Sequence, residues 1–209
     1  MRISEERARE NRDRIVGAAS ELFREKGFDG VAVGELMQSA GFTHGGFYNH
    51  FDSKEALAVE ALRSAWTEMA KERARAANLP ELFRHYLSRA ARAAPGKSCP
   101  AAALAGDVGR QPQTVKAVFA EGLESMIQSV EQGLPDGPGA TARDRAINLV
   151  TRMVGALMLS RAVPDDNPLV DELLDAVGRA AQSEVAPHSA GHPVASLLEH
   201  PQMPSEQLE

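Results

Sequence analysis

Residues 43–50 concentrate side chains that can form hydrogen bonds with a partner molecule. They supply hydroxyl, imidazole and amide groups from Thr43, His44, Tyr48, Asn49 and His50, with two glycines between them. Hydroxyl and imidazole groups donate to phosphate oxygens, and an asparagine amide can pair with N6 and N7 of adenine in a major groove. At Gly45 and Gly46 the backbone can approach a phosphate or a groove floor closely, because no side chain intervenes. Asn49 is the first candidate for base discrimination and His44 the second.

Two short helices are predicted to position this cluster. Apolar spacing predicts a helix over about 33–40 that ends at Gly41, and Thr43 is a suitable N-cap for a second helix that ends near His50. A pair of short helices with a glycine at the turn is typical of a DNA-reading helix-turn-helix, although the same corner also occurs as a purely structural element.

A long helix is predicted to follow directly. Asp52 as N-cap and Glu55 three residues later form an expected capping box. Lys54 falls in the first turn, where a cation is unfavourable for the helix dipole, so a position facing phosphate would explain it.

The whole chain has the apolar periodicity of helices, so we expect an all-α fold of about nine helices. Ile15, Ala19, Leu22 and Phe23 give the first helix one buried face, and Gly27 is expected to stop it in a left-handed conformation. A clean stripe runs from Leu79 to Ala90, and Pro95-Gly96 breaks it. We expect a three-helix DNA-binding domain over 1–55, a helical effector-binding and dimerisation domain over 56–186, and a disordered tail over 187–209.

Composition gives DNA binding no support. The chain carries a net charge of −6, and residues 1–55 hold eight Lys/Arg against ten Asp/Glu. Arg7, Arg9 and Arg12 are open to two interpretations, a DNA-contacting arm or a solvated helix end. The polar N-terminus and the lack of a membrane-length apolar run predict a cytoplasmic protein with no membrane contact.

The stretch GFTHGGFYNHFDSKEAL, residues 41–57, resembles the signature of the tetracycline-repressor (TetR) family, and residues 15–28 resemble that family's first helix. The resemblance implies a homodimeric repressor, less often an activator, whose C-terminal helices bind a small molecule and pair the subunits. It implies DNA contacts from Thr43, His44, Gly45, Tyr48, Asn49, His50 and Lys54, with Phe47 and Phe51 in the core. One departure is Val31-Ala32, where the family usually has a capping Thr or Ser. The lost cap should cost about 1 kcal/mol.

The C-terminal half offers candidates for an effector cavity, with plain core packing as the alternative for each of them. The candidates are Phe83, Tyr86, Cys99, Phe119, Met126, Met153 and Leu157. The last two predicted helices, over 141–162 and 168–186, carry apolar faces that could pair with a second copy or pack within one chain. A palindromic operator and an apolar or electrophilic effector complete the expectation.

Cys99 is the single cysteine, so no intramolecular disulfide is possible. In the run Lys97-Ser98-Cys99-Pro100 it opens a predicted helix, the sixth, where the dipole and Lys97 are expected to lower its pKa. A branch of the family with a Cys-Pro pair at this helix includes sensors of electrophiles or oxidants. The alternative is a small buried residue or helix cap.

Parts of the sequence are also compatible with two other classes of protein. A thiol enzyme could pair Cys99 with His85, but the sequence has no phosphate loop, paired carboxylates or metal-spaced ligands to support it. A pure protein-interaction bundle is the third interpretation. We expect no enzyme activity, no metal and no cofactor.

Overall fold

The computed structural model describes residues 5–135 and 140–185, and within these ranges every regular secondary-structure element is a helix. The α-helices are α1 Glu5–Lys26, α2 Val33–Ser39, α3 Lys54–Arg75, α4 Leu79–Tyr86, α5 Arg89–Ala93, α6 Pro100–Val108, α7 Gln113–Gly133, α8 Ala142–Arg161 and α9 Leu169–Val185. Two 3₁₀ helices, His44–Asn49 and Pro95–Lys97, stand between them. The predicted all-α class is confirmed. The predicted tail, 187–209, lies outside the described residues.

The N-terminal unit is α1, α2, the first 3₁₀ helix and the start of α3. Its centre is filled by the fully buried side chains of Ile15, Leu36, Phe47 and Leu57. Gly27 and Gly41 have φ values of 76° and 82°, a left-handed conformation that glycine adopts without strain, and they end α1 and α2. Local sequence signals therefore determine where the first two helices stop.

The caps differ from expectation in two places. Thr43 occupies the N-cap position of the 3₁₀ helix, but its side chain makes no capping hydrogen bond. Ser53, and not Asp52, caps α3, because its extended backbone lets its hydroxyl accept from the Ala56 amide at 3.0 Å. The predicted capping box is therefore wrong by one residue, and the Glu55 carboxylate instead accepts from Thr114 on α7.

The N-terminus of α2 lacks a side-chain cap, as the sequence predicts. Ala32 holds the N-cap position with φ −82° and ψ 152° and offers no oxygen to the helix amides. Ala32→Thr should raise the free energy of unfolding by about 1 kcal/mol, because it supplies one capping acceptor. Ala32→Val introduces a side chain of the same shape as threonine but without the oxygen, so it should not raise the free energy of unfolding. Urea unfolding of both variants tests this, and an equal gain in both would contradict it.

In the C-terminal unit α7 packs against α3, α8 packs against α7 and α9, and α9 also packs against α4. Its core is closed by fully buried Leu149 and Leu157 of α8, with Leu104 of α6 beside them. The predicted stripe from Leu79 to Ala90 does not form one helix, since Ser88 leaves the helical conformation and caps the separate α5. No described helix has both the length and the apolar character of a membrane span.

Helix α3 joins the two units without interruption. It packs against both α1 and α7, and its buried residues Leu57 and Met69 belong to one continuous core. The proposed boundary at residue 55 would fall in its first turn.

Candidate nucleic-acid interface and ligand cavity

The polar cluster of residues 43–50 lies on the surface of the N-terminal unit. Thr43, His44 and Asn49 are exposed, and the Tyr48 side chain is 71% exposed. Between them, Phe47 is fully buried and meets the Tyr48 ring edge-on at 5.2 Å between centroids. The core thus fixes the 3₁₀ helix while its polar groups face outwards, which is the arrangement a recognition surface requires.

Gly45 adds a bare backbone position to this surface. A Cβ added there would meet no atom of the described chain within 4 Å, whereas one at Gly46 would contact Met37 at 3.7 Å. Gly45 therefore has no internal packing role, and its backbone is open to a ligand from outside.

His50 and Lys54 are half-buried at the edge of the same surface. The His50 ring lies 6.3 Å from Phe42 and 6.4 Å from Phe51, measured between ring centroids. Lys54 is the first residue of α3 and forms no ion pair among the described residues. It is the cation best placed to meet a phosphate here.

Arg12 has a structural role in this unit. Its guanidinium stacks 4.2 Å above the Phe51 ring, donates to the backbone carbonyl of His50 and contacts Glu60 on α3. Arg7, Arg9 and Arg12 all belong to α1, so the helical alternative describes them better than an arm.

Most other cations near the turn are also engaged within the chain. Arg14 stacks on Phe42 at 4.9 Å and donates to the Ala40 carbonyl at 3.0 Å. Lys26 pairs with Glu35, whose hydrogen bond and charge raise the pKa of Lys26. Contacts with a polyanion would therefore depend on a few placed donors and not on a broad basic surface.

A cavity of about 810 Å³ lies in the C-terminal unit, bounded by the end of α3, by α4 and by residues 88–99. Met69 and Arg73 of α3 face Leu82 and Tyr86 of α4 across it, and Cys99 closes one wall. Of the seven predicted ligand residues, Tyr86 and Cys99 line this cavity.

The other five predicted ligand residues do not line it. Buried core positions are taken by Phe83, Met126, Met153 and Leu157, while Phe119 packs edge-on against Trp66 at 5.8 Å. In the single chain four of them belong to the hydrophobic core, and Phe119 packs against that core.

The cavity wall is hydrogen-bonded to the N-terminal unit through Ser98. Buried Arg24 of α1 donates to the Ser98 carbonyl at 3.1 Å and to the carboxylate of Glu68 at 2.9 Å. From the other side, Arg161 of α8 donates to the Ser98 hydroxyl and to the Ala91 carbonyl, both at 2.8 Å. A displacement of Ser98 in this wall would therefore act directly on α1.

A close backbone approach reinforces this joint. A Cβ at Gly96 would lie 2.7 Å from a carboxylate oxygen of Glu25 and 3.1 Å from the backbone carbonyl of Glu21. Only glycine lets the Pro95–Lys97 turn rest on α1 at this distance.

Comparison with known proteins assigns this architecture to a protein family. Residues 15–61 match the family model described as bacterial regulatory proteins, tetR family. The N-terminal unit of the chain belongs to the TetR family. The match covers α2, the 3₁₀ helix and the turn between them, together with most of α1 and the beginning of α3. The chain is thus a DNA-binding transcriptional regulator.

Relatives match this chain either along most of its length or along a shorter stretch. The HTH-type transcriptional repressor DhaR of Mycobacterium sp. (strain GP1) is 23% identical over 81% of this chain and 91% of its own length. The HTH-type transcriptional regulator QacR of Staphylococcus aureus (strain Mu50 / ATCC 700699) is 36% identical, but over only 29% of this chain and 34% of its own length. These relatives are regulators and not enzymes, in agreement with the expectation for this chain.

Solved TetR-type structures share the fold over most of the chain. The crystal structure of E. coli NemR in its reduced form superposes with a TM-score of 0.71, at 17% identity, over 87% of this chain and 100% of NemR. At that identity the likeness establishes the fold alone.

Cys99 differs from its expected chemistry. It is the residue before α6, as predicted, but burial raises the pKa of its thiol above the ordinary value of 9.0. The Tyr86 hydroxyl, the amides of Ala102 and Ala101, and the charge of Arg73 lower the pKa, and burial outweighs them. Lys97 is not among the groups that shift the pKa of the Cys99 thiol. The predicted depression of the pKa is therefore wrong, because the thiol lies inside the protein.

Native Cys99 should therefore react slowly with iodoacetamide at pH 7, since the thiolate is the reacting form. Because the folded pKa is raised, the rate should keep increasing as pH rises above 9.0, where an ordinary thiol levels off. Mass spectrometry of the single-cysteine protein measures the rate, with guanidinium-unfolded protein as reference and Cys99→Ser as blank. A native rate at pH 7 equal to or above the unfolded rate would contradict the prediction.

Proposed function

We propose that the chain is a cytoplasmic, homodimeric repressor that binds a palindromic operator and releases it when a small molecule enters the cavity. The observation that carries this proposal is the hydrogen bond from Arg24 of α1 to the Ser98 carbonyl in the cavity wall. It joins the ligand cavity to the first helix of the DNA-binding unit.

The DNA contacts are proposed to come from the exposed cluster and its edge. Asn49 would discriminate adenine, and Thr43, Tyr48, His50 and Lys54 would meet phosphates. His44 is the second base-reading candidate, and the bare backbone at Gly45 allows close approach to the duplex. Since Lys54 forms no ion pair with a described residue, its replacement by glutamine should weaken the salt dependence of DNA binding.

The dimer is proposed to form through α8 and α9. Ile147 and Leu159 on α8 are 39% and 58% exposed, and Leu169 at the start of α9 is 44% exposed. Gly155 lies between the first two, and a Cβ there would meet nothing within 4 Å. An apolar face with a small residue at its centre suits a four-helix contact with a second copy. Two recognition units would then read two half-sites.

Release is proposed to follow from a population shift. A ligand that fits a displaced position of the 95–99 wall would favour that position by its differential affinity. The wall transmits the displacement to α1 through Arg24 and Gly96. The two recognition surfaces would then no longer match the spacing of the half-sites.

DNase I footprinting on the DNA upstream of the chain's own gene tests this function. We expect one protected region with two-fold sequence symmetry, and binding that weakens as salt rises. Asn49→Ala should weaken protection by about fivefold or more, because an amide–adenine pair is worth about 1–3 kcal/mol. The matched control is Gln128→Ala, which removes an exposed amide from α7. Protection that is absent, or insensitive to Asn49, would reject the proposal.

A further inference from the structure

We propose that the cavity takes a small organic anion, with Arg73 as the group that binds its acidic head. This inference rests on the proposed function, since it assigns a chemical class to the effector of the same cavity.

Two donors in the cavity wall have no hydrogen-bond acceptor among the described residues. Nη1 of Arg73 and the hydroxyl of Tyr86 are both buried, and neither makes a hydrogen bond to any described residue. The Cys99 thiol is close enough to the Tyr86 hydroxyl to interact with it, but sulfur is a weak acceptor and does not replace the acceptor that a buried hydroxyl needs. A buried donor without an acceptor is costly, so these groups indicate a ligand that supplies one.

Charge around the cavity favours an anion. Arg73, Arg75, Arg84 and Lys97 line it, and none of them forms an ion pair with a described residue. Only two carboxylates line it, and that of Glu81 already accepts from the Ala77 amide at 3.1 Å. A guanidinium binds a carboxylate or sulfonate through two parallel hydrogen bonds, which a neutral ligand cannot offer.

The rest of the wall suits an apolar body. Met69 and Leu82 supply aliphatic surface opposite each other, and alanines of α5 complete it. The volume of about 810 Å³ lies within the range of small-molecule sites. An organic acid with an aromatic or short aliphatic body therefore fits better than a wholly apolar effector or a bare inorganic anion.

A matched probe pair tests the assignment on the full-length protein. The fluorescent probe 8-anilino-1-naphthalenesulfonate and its neutral parent N-phenyl-1-naphthylamine differ only in the sulfonate. We expect the anionic probe to bind at least tenfold more tightly, and 1-naphthoate to displace it where 1-naphthamide and inorganic phosphate do not. Equal binding of the two probes, or displacement by phosphate as effective as by naphthoate, would overturn the inference.

Variants of α3 locate the site. Arg73→Gln should weaken binding of the anionic probe about tenfold and leave the neutral probe unchanged, because one charged hydrogen-bonding group is lost. Arg63→Gln removes the same charge from an exposed position of α3 outside the cavity and should change neither. Since Arg73 is half-buried and unpaired, Arg73→Gln should melt at the wild-type temperature or above it. Equal loss in both variants would mean that the sulfonate binds unspecifically, and a melting temperature lowered by Arg73→Gln would assign Arg73 a structural role.

A gel shift separates this inference from the proposed function. If the protein binds its operator but not the anionic probe, the ligand class is wrong and the regulator remains. If it binds the probe at Arg73 and the DNA is not released at saturation, ligand-controlled release is wrong and the anion site remains.

Discussion

Replacing Phe47 with alanine should lower the free energy of unfolding by about 3–5 kcal/mol, the usual cost of emptying a buried phenylalanine position. The Phe47 side chain is fully buried, and its ring lies 5.7 Å from Phe51 and 5.2 Å from Tyr48, measured between centroids. The 3₁₀ helix around it has only six residues and is held mainly by this anchor. Specific DNA binding should disappear with the anchor, because the exposed donors lose their fixed positions.

Tyr48→Phe at the adjacent position should leave the stability nearly unchanged and weaken operator binding. The Tyr48 hydroxyl is exposed and the ring survives the change, so unfolding should shift by less than about 0.5 kcal/mol. A hydrogen bond to a charged phosphate is worth about 1.5–3 kcal/mol, so operator affinity should fall by about tenfold or more per half-site.

Urea unfolding and fluorescence anisotropy with the footprinted operator distinguish the two effects. Native stability in Phe47→Ala would show that the 3₁₀ helix does not depend on its anchor. Unchanged affinity in Tyr48→Phe would remove this hydroxyl from the set of DNA contacts, while leaving the fold of the unit as described.

Local signals explain why the N-terminal unit could be predicted closely. Gly27 and Gly41 end two helices because each adopts a left-handed backbone, and this property belongs to the residue itself. The choice between Asp52 and Ser53 as cap could not be made in this way, since both are good N-cap residues. Ser53 takes the position because its extended backbone, at φ −158° and ψ 163°, lets its hydroxyl accept from the Ala56 amide.

The cavity could not be predicted from periodicity. Phe83 and Leu157 have the spacing of a buried face, and both a core and a cavity produce that pattern. Arg73 lies in the charged run 71–75, which is equally expected of a solvated helix end. Its place in the cavity wall depends on where α4 and residues 88–99 lie relative to α3, and no single segment specifies that arrangement.

Cys99 shows the same limit in its chemistry. The position before Pro100 was predictable, and a helix N-terminus does lower a thiol pKa. The opposing cost of burial depends on α4 and α3, which come from elsewhere in the chain, and that cost prevails. A pKa argument from neighbours in sequence is therefore incomplete until the packing is known.

Introducing a charge into the proposed dimer face should have a large effect on DNA binding. Leu159→Glu places a carboxylate at a side chain that is 58% exposed in the single chain and that we propose to be covered by the partner. In a two-fold symmetric contact the change is made twice, so two unpaired carboxylates would lose water at one interface. That costs several kcal/mol, enough to shift a dimer towards monomers at micromolar concentration.

Operator affinity should then fall at least about 100-fold, because the second half-site no longer benefits from the high effective concentration of a linked unit. Light scattering coupled to size-exclusion chromatography measures the mass, and anisotropy the affinity. Ala120→Glu adds the same charge at an exposed position of α7 and should change neither. A Leu159→Glu variant that stays dimeric with full affinity would move the interface away from this face. A monomeric variant with full affinity would show that a single unit is sufficient to bind the operator, against the two-half-site mechanism.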